Sequence, residues 1–347
     1  MSLSEIIESL RAGQVMSQMA VETAAAALLN PEGDLAAKAA LLRALSAKGE
    51  TAGEIAGFVK VFLTHAVRPP LDVTAFDRPV MDVCGTGGDK LDLFNISTAS
   101  MFVLAGAGVV VVKHGNRGIT SKSGGADVLE ALGVPVNLPP DVFCACVQQT
   151  GAGFMLAPQY HPAFKAVAPV RAQLAAEGVR TIFNLIGPLL NPASPTSQLV
   201  GVYDPALPRV YAEIMRELGR VSAWAVHGTI PDGGGMDEVS TLGSTRIVAL
   251  QGGVVSEMEE SVPLPVPALA DLKGGDARDN AAIITGILSG ELKGPKRDIV
   301  LANAAAALRA CGQCHGWDAA LDAAAESIDG GHARRVLDQM RAFACPA

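Results

Sequence analysis

Short apolar runs alternate with helix-like segments from residue 79 onwards, and this alternation restricts the fold more than any other feature of the chain. The alternating segments are 79–84, 97–107, 109–113, 125–132, 139–150, 153–157, 163–176, 198–203, 207–219 and 222–227. Beyond them, residues 242–258 indicate antiparallel strands and residues 279–343 indicate Ala-rich helices. This pattern predicts an α/β fold: a largely parallel mixed sheet flanked by helices, with ligands at the carboxyl ends of its strands.

The N-terminal part of the chain differs from this pattern. Residues 4–67 show helical patterns only, and Thr51 with Glu54 three residues later forms a capping-box pattern at one helix start. The sequence therefore predicts a smaller all-helical domain over residues 1–73 and an α/β domain over residues 74–347.

The composition excludes some classes of protein. Of the 347 residues, 49% are hydrophobic and 18% are charged, which excludes a disordered chain. The net charge of -8 argues against sequence-independent nucleic-acid binding, which needs spread positive charge. No basic signal segment is visible, no apolar stretch is long enough to span a membrane, and the six cysteines lack framework spacing. We therefore expect a cytoplasmic protein.

Two polar segments follow neighbouring apolar runs. Gly85-Thr86-Gly87-Gly88-Asp89 follows the first run and leads into Asn95-Ile96-Ser97-Thr98, which has the pattern of a helix start. Glycines let backbone N–H groups turn toward an anion, and a helix N-terminus adds unpaired N–H donors. Lys113 and Arg117 follow the second run, beside the same crevice. Together the segments predict a pocket for a phosphorylated ligand.

Adjacent carboxylates, Asp237 and Glu238, lie in a Gly-rich loop after the strand-like run 222–227. Two hard oxygen donors beside substrate phosphates are typical of a Mg²⁺ site in which the metal keeps several waters. An isolated acidic pair would more often be a solvated turn. The phosphate-binding segments in the same chain favour the metal site.

Taken in order, these motifs resemble those of the anthranilate phosphoribosyltransferases, a family related in fold to the pyrimidine nucleoside phosphorylases. The resemblance runs through residues 85–89, 95–98, 113–117, 121–124, 184–192 and 237–238. It implies transfer of the 5-phosphoribosyl group from phosphoribosyl pyrophosphate to anthranilate in tryptophan biosynthesis, with release of pyrophosphate. It also implies an active site at the hinge between the domains and a homodimer. In this family the helical domain includes, besides the N-terminal segment, part of about residues 168–192.

The resemblance also assigns site residues. Those implied for phosphoribosyl pyrophosphate are Gly85, Gly88, Asp89, Leu93, Asn95, Ile96, Ser97, Thr98, Lys113 and Gly125. Those implied for anthranilate are Gly85, His114, Asn116, His161 and Arg171, whose planar guanidinium suits a carboxylate. Those implied for Mg²⁺ are Ser97, Asp237 and Glu238. No catalytic base is implied, because the arylamine of anthranilate is unprotonated at neutral pH.

Three segments depart from the family pattern. Residues Lys90-Leu91-Asp92-Leu93 replace a Gly-x-x-Thr segment, so Leu93 stands where a hydroxyl usually lies near the phosphates. Gly125 stands at a frequent serine position, and the loop 229–235 before the acidic pair is extended. The first two changes bear directly on ligand affinity.

Several alternatives stay open at this point. A pyrimidine nucleoside phosphorylase would share the glycine-rich loop and the lysine, although it needs no metal-bound pyrophosphate. A non-catalytic relative could bind nucleic acid in the same cleft, although the acidic charge disfavours it. His161 before Pro162 is equally well explained as a turn histidine. The string Cys311-Gly312-Gln313-Cys314-His315 matches a haem-attachment pattern, but an Ala-rich helix end with chance cysteines explains it better.

Overall fold

The N-terminal part of the chain forms four α-helices in the computed structural model, which describes residues 1–118 and 122–343. They are α1 (Leu3–Arg11), α2 (Gln18–Leu29), α3 (Leu35–Lys48) and α4 (Ala52–Thr64). Each follows a residue whose side chain accepts a hydrogen bond from the first turn, namely Ser2, Ser17, Asp34 and Thr51. The predicted capping box of Thr51 and Glu54 is present. Caps of this kind stabilise a helix by about 1 kcal/mol each.

A mixed sheet organises the rest of the chain. Its strands are β1 (Val80–Gly85), β2 (Val110–Gly115), β3 (Ala152–Leu156), β4 (Ser197–Gly201), β5 (Ser222–Thr229), β6 (Gly235–Met236), β7 (Thr245–Gln251) and β8 (Val254–Glu260). The order is β3-β2-β1-β4-β5-β7-β8, with β6 paired to β5. The first five strands in that order are parallel, whereas β6, β7 and β8 pair antiparallel. The predicted fold class is confirmed.

Further α-helices cover this sheet. They are α5 (Ile96–Gly106), α6 (Gly125–Ala131), α7 (Pro140–Thr150), α8 (Ala157–Tyr160), α9 (Ala168–Ala176), α10 (Pro208–Glu217), α11 (Ala277–Leu288), α12 (Pro295–Ala310), α13 (Trp317–Asp329) and α14 (His332–Arg341). Short 3₁₀ turns at Pro162–Ala166, Ile182–Asn184 and Gly187–Leu189 fill the segment between α8 and β4. Within the described residues, no helix is both long and apolar enough to cross a membrane.

The buried apolar side chains form two cores on opposite faces of the sheet. Trp224 and Val226 belong to one core, whereas Ala223 and Ala225 belong to the other. Consecutive residues of a strand point to opposite faces, so the sheet separates the cores. The first core packs against α5 and the C-terminal helices, and the second continues through α10 into the four N-terminal helices and α9.

The strand order reverses beside β1, and this reversal places the site. The chain passes from β1 outward to β2 and β3, and then returns to form β4 on the other side of β1. Connections that leave in opposite directions open a crevice at the carboxyl ends of the two strands. Gly85 and Gly201 end β1 and β4 and lie opposite each other in register.

Candidate active site

The glycine-rich loop follows β1 and turns through left-handed backbone conformations. Gly87 and Gly88 have φ of 71° and 95°, and the non-glycine residues Lys90 and Asp92 have φ of 57° and 53°. Left-handed conformations are unfavourable for residues with a Cβ, so the departure at residues 90–93 adds strain to this loop.

The start of α5 lies where the sequence predicts it, but its first side chain has another role. Asn95 makes no capping hydrogen bond to the helix. Its Nδ2 instead donates to the Ser123 carbonyl oxygen (3.2 Å), and its Oδ1 accepts from Asn280 (3.0 Å). Asn95 therefore ties the start of α5 to the loop between β2 and α6 and to α11. It also leaves the first-turn N–H groups of α5 without a side-chain cap. Such groups are donors for a bound anion.

Three glycines make room for the acidic pair at the carboxyl ends of the strands. A Cβ on Gly85 would overlap the carboxylate of Asp237, and a Cβ on Gly201 would overlap the Asp237 backbone. A Cβ on Gly228, near the end of β5, would overlap the Glu238 carbonyl oxygen. The backbone of the pair thus lies directly against β1, β4 and β5, in the crevice that the topology opens.

The acidic pair is held within the glycine-rich loop. Asp237 Oδ2 accepts a hydrogen bond from the Gly87 N–H (2.6 Å). Burial raises the pKa of Asp237 to about 7, and the charge of Asp89 acts in the same direction. Burial and the charge of Asp237 raise the pKa of Glu238 well above its ordinary value. Crowded, poorly solvated carboxylates of this kind favour a bound cation.

Lys113, at the end of β2, also lies close to the acidic pair. The side chain is 4% exposed, and its Nζ donates to the Val83 carbonyl oxygen (2.5 Å) and to Ser97 Oγ (3.2 Å). Its positive charge offsets part of the rise in the pKa of Glu238 that burial causes. Ser97 and Glu238 line a common cavity of about 10 Å³. The structure therefore brings Ser97, Lys113 and the acidic pair together.

The donor set fits a hard cation that is shared with a phosphorylated ligand. Within residues 1–118 and 122–343, no three His, Cys, Asp or Glu side chains are arranged as a complete metal centre. Asp237, Glu238 and the Ser97 hydroxyl offer oxygen donors, which Mg²⁺ prefers. The remaining ligands would be water and phosphate oxygens, as is usual where Mg²⁺ acts on a phosphorylated substrate.

Two histidines and an aromatic ring form a wall beside β2. The rings of His114 and His161 meet edge to face at 5.2 Å, and His161 stacks on Phe164 at 5.2 Å. His161 Nε2 lies 2.9 Å from the Leu190 carbonyl oxygen. Burial lowers the pKa of His114 to about 3 and also lowers that of His161. Both rings are therefore neutral at neutral pH, and His161 is an ordered part of this wall.

Arg171 lies on α9, next to this wall. Its guanidinium stacks over the Phe183 ring, 4.9 Å from the centroid. Burial lowers its pKa, and no acidic side chain in the described part of the chain forms an ion pair with it. A half-buried guanidinium without a carboxylate partner is costly unless a ligand supplies one.

The loop between β2 and α6 lies only partly in the site. Gly125 begins α6, and a Cβ there would lie 3.5 Å from Thr98 Oγ1 and 3.9 Å from Lys113 Cε. Asn116 is exposed, and its Oδ1 accepts from the Arg117 N–H. Arg117, which the sequence places beside the crevice, forms ion pairs with Glu130 and Asp127 of α6. Ser121 of the 121–124 motif lies outside the described residues.

Residues 90–93, which depart from the family pattern, connect the glycine-rich loop to other segments of the chain. Leu93 pairs with Lys273 in an isolated antiparallel bridge, and Asp92 forms an ion pair with Lys122 (3.2 Å). The half-buried Leu93 packs against the first core. The bridge is a backbone contact, whereas the ion pair of Asp92 and the packing of Leu93 depend on the side chains at these positions.

Comparison with known proteins places the whole chain in one family. Residues 4–66 match the model of the glycosyl transferase family helical bundle domain, and residues 77–334 match that of the glycosyl transferase family a/b domain. The anthranilate phosphoribosyltransferase of Symbiobacterium thermophilum is 43% identical over 98% of this chain and 97% of its own. That of Moorella thermoacetica is 45% identical over 97% of both chains.

The chain belongs to the anthranilate phosphoribosyltransferase family. The crystal structure of the family member from Thermus thermophilus superposes with a TM-score of 0.87 at 37% identity, over 97% of this chain and 98% of that chain. The Saccharomyces cerevisiae member in complex with PRPP and Mg superposes with a TM-score of 0.85 at 25% identity, over 98% and 97%. The resemblance seen in the sequence is confirmed.

Some structural features of this anthranilate phosphoribosyltransferase family member were not predicted from its sequence. Asp82 is buried in β1, where its Oδ2 accepts from Asn191 Nδ2 (2.9 Å). Asn191 also donates to the Val112 carbonyl oxygen (2.7 Å), so it links β1, β2 and the end of the 184–192 motif. Gly201 and Gly228 were also missed. A glycine that ends an apolar strand-like run would have been the signal for Gly201.

Proposed function

We propose that this protein transfers the 5-phosphoribosyl group from phosphoribosyl pyrophosphate to the amine of anthranilate, releasing pyrophosphate in tryptophan biosynthesis. The observation that carries the proposal is a convergence of three elements. The glycine-rich loop, the buried acidic pair and Lys113 meet at the carboxyl ends of β1, β4 and β5. These groups suit a metal-bound diphosphate better than a neutral ligand.

The donor groups act chiefly on the leaving diphosphate. Gly85, Gly88 and Asp89, with the helix start Asn95–Thr98, bind the phosphoribosyl pyrophosphate, and Lys113 supplies a positive charge. Asp237, Glu238 and Ser97 would hold Mg²⁺, which would neutralise charge that develops on the pyrophosphate. The yeast relative is described in complex with PRPP and Mg. Fixed charges aimed at the leaving group stabilise the transition state more than the substrate.

The acceptor, anthranilate, is bound on the side of the site opposite the metal and the diphosphate. Arg171 is positioned to pair with the anthranilate carboxylate, while His114 and His161 form an uncharged wall for the ring and Gly85 closes the site. Asn116 completes this set only if it turns inward from its exposed position. The neutral imidazoles leave the unprotonated arylamine free to attack C1 of the sugar, so no general base is required.

A magnesium-dependent assay tests the proposal. Purified protein with phosphoribosyl pyrophosphate, anthranilate and Mg²⁺ should deplete anthranilate fluorescence, and EDTA should stop the reaction. Asp237→Asn and Glu238→Gln should chiefly lower kcat, because they weaken stabilisation of the leaving group. Thymidine phosphorolysis without anthranilate turnover would support the phosphorylase alternative, and salt-sensitive DNA binding without turnover would support the nucleic-acid-binding one.

The domain division and the assembly complete the proposal. We propose that residues 1–73, joined by part of about 168–192, form the helical domain, and that residues 74–347 form the α/β domain. The packing of α9 with the four N-terminal helices in the second core supports its place in the helical domain, although the same core continues to α10 and the sheet. We also propose a homodimer through the helical domain, whose surface exposes Val15 and Met19 at 62% and 63%. Light scattering of the purified protein measures the oligomeric state.

A further inference from the structure

Asn303 lies in the middle of α12 and is 1% exposed. Its Oδ1 accepts a hydrogen bond from the Val239 N–H (2.8 Å), and its Nδ2 donates to the Val239 carbonyl oxygen (3.1 Å) and to that of Ile299 (2.9 Å). One side-chain amide thus satisfies both backbone groups of the residue that follows the acidic pair.

The acidic pair lies between this amide and the strand ends. On one side, Gly201 and Gly228 lie against the backbone of the pair, and Gly85 lies against the carboxylate of Asp237. On the other side, Asn303 holds the next residue from a helix of the first core. The amide therefore restrains the backbone of Asp237 and Glu238 between α12 and the strand ends.

The next residue along the chain is also fixed. Ser240 Oγ donates to the Thr229 carbonyl oxygen (2.6 Å), and the Ser240 N–H donates to Thr245 Oγ1 (3.0 Å). These bonds join the segment to the end of β5 and the start of β7. Asn303 joins the preceding residue, Val239, to α12.

We propose that Asn303 is a positioning residue that holds the Asp237–Glu238 backbone against the strand ends, so that both carboxylates can ligate one Mg²⁺ together with diphosphate oxygens. This inference rests on the metal site of the proposed function. Two carboxylates at adjacent positions can ligate one cation only if the backbone that carries them is held in place. A backbone clamp from a packed helix restricts how far that segment can move.

The chemistry of the clamp requires an amide of this length. A carboxylate in place of Asn303 could accept from the Val239 N–H but could not donate to its carbonyl oxygen, and leucine could do neither. Groups that orient metal ligands without touching the metal typically change metal affinity by about 10–100-fold when they are replaced.

The test uses Asn303→Ala and the near-isosteric Asn303→Leu in the full chain. Calorimetric titration with Mn²⁺ in the presence of pyrophosphate, without anthranilate, should show Mn²⁺ binding weakened by about 10–100-fold. The anthranilate KM of the variants should stay within about twofold, because their effect is confined to the metal side. Wild-type Mn²⁺ affinity in both variants would overturn the inference.

Ser327→Ala provides the matched control. Ser327 on α13 is also buried, and its Oγ donates to the Val103 carbonyl oxygen (2.7 Å), away from the acidic pair. This variant should lose thermal stability but keep its Mn²⁺ affinity. Equal weakening in Ser327→Ala would show that the Asn303 effect is general destabilisation, and would also overturn the inference.

Two measurements separate this inference from the proposed function. Asp237→Asn should abolish Mn²⁺ binding; if it does not, the metal assignment itself fails. If it does while the Asn303 variants bind normally, only the positioning role fails. Hydrogen exchange of the wild-type protein requires no variant to fold: the Val239 amide should exchange slowly, and rapid exchange would contradict the clamp.

Discussion

At the scale of single residues, the half-buried arginines of this chain differ in the groups that balance their positive charge. Arg309 is bound by Glu260 and lies between the rings of Trp224 and Trp317. Arg171 has an aromatic ring on one side but no carboxylate among the described residues. A guanidinium that is half buried and unpaired in the free protein is therefore the group best suited to a ligand's carboxylate.

Arg171→Ala should raise the anthranilate KM by about 10–100-fold, since a hydrogen bond to a charged group contributes about 1.5–3 kcal/mol. The KM for phosphoribosyl pyrophosphate should change little. Steady-state kinetics with each substrate varied in turn measures both effects. Arg43→Ala is the control, because Arg43 pairs with Glu177 just past the other end of α9. A loss confined to kcat would contradict this role of Arg171.

His114 should make the protein less stable in acid. Its folded-state pKa of about 3 lies below the ordinary value of 6.5, so protonation favours the unfolded chain. The stability that depends on neutral His114 is complete above pH 6.5 and is lost progressively as the pH falls toward 3. Thermal unfolding at several pH values should show a smaller acid-induced loss for His114→Gln than for wild type. His65→Gln, at an exposed helix end, should retain the full loss.

At the scale of elements, the sequence predicts what depends on local order. The capping box at Thr51, the start of α5 and the loop after β1 are encoded by neighbouring residues, and all three are present. The fit of Gly201 against Asp237 and the bond from Asn303 to Val239 depend on which distant segments meet. The glycine at the strand end is visible in the sequence, but neither contact partner leaves a periodic pattern, so the sequence alone could not predict the contacts.

Gly201→Ala should disrupt the crevice. The added methyl group would overlap the backbone of Asp237, where no flexible side chain can move away. Overpacking of this kind costs about 1–3 kcal/mol or more, and it should also displace the acidic pair. Thermal unfolding and the magnesium-dependent assay measure the two effects. Gly53→Ala in α4, where a Cβ meets no atom within 4 Å, should leave both unchanged or slightly raise stability.

Gly125→Ser should strengthen substrate binding. A Cβ at the start of α6 would make only ordinary contacts with Thr98 and Lys113, so the serine fits without displacing either. Its hydroxyl would add a donor beside the proposed phosphate site and lower the KM for phosphoribosyl pyrophosphate by about threefold to tenfold, the value of one neutral hydrogen bond. Gly125→Ala should show no such gain. An unchanged KM in the serine variant would show that backbone N–H groups already compensate.

At the scale of the whole molecule, the two sides of the proposed site belong to different cores. The acidic pair and Lys113 are held by the sheet and the helices of the first core, whereas α9 with Arg171 packs in the second core. The sequence predicted both groups of residues, but their relative placement depends on how the segment between α8 and β4 docks on the helical bundle. Lys38 is the buried charge at this contact.

Lys38→Met should therefore affect the acceptor side more than the phosphate side. Lys38 Nζ donates to the carbonyl oxygens of Asn30 (2.6 Å) and Ala166 (3.0 Å), and the side chain is 1% exposed. Methionine restores the volume but leaves both carbonyl groups without this donor, at a cost of about 1–3 kcal/mol. Burial lowers the pKa of Lys38, so removal of the charge offsets part of this cost.

The expected result is a lower melting temperature and an anthranilate KM that rises more than the KM for phosphoribosyl pyrophosphate, because Ala166 lies just before α9. Lys60→Met is the matched control, since Lys60 is exposed on α4 and only reaches Glu217 at 4.0 Å. It should change stability by less than about 0.5 kcal/mol. Equal rises in both KM values for Lys38→Met would show that the bundle supports the whole fold and does not specifically position the acceptor side.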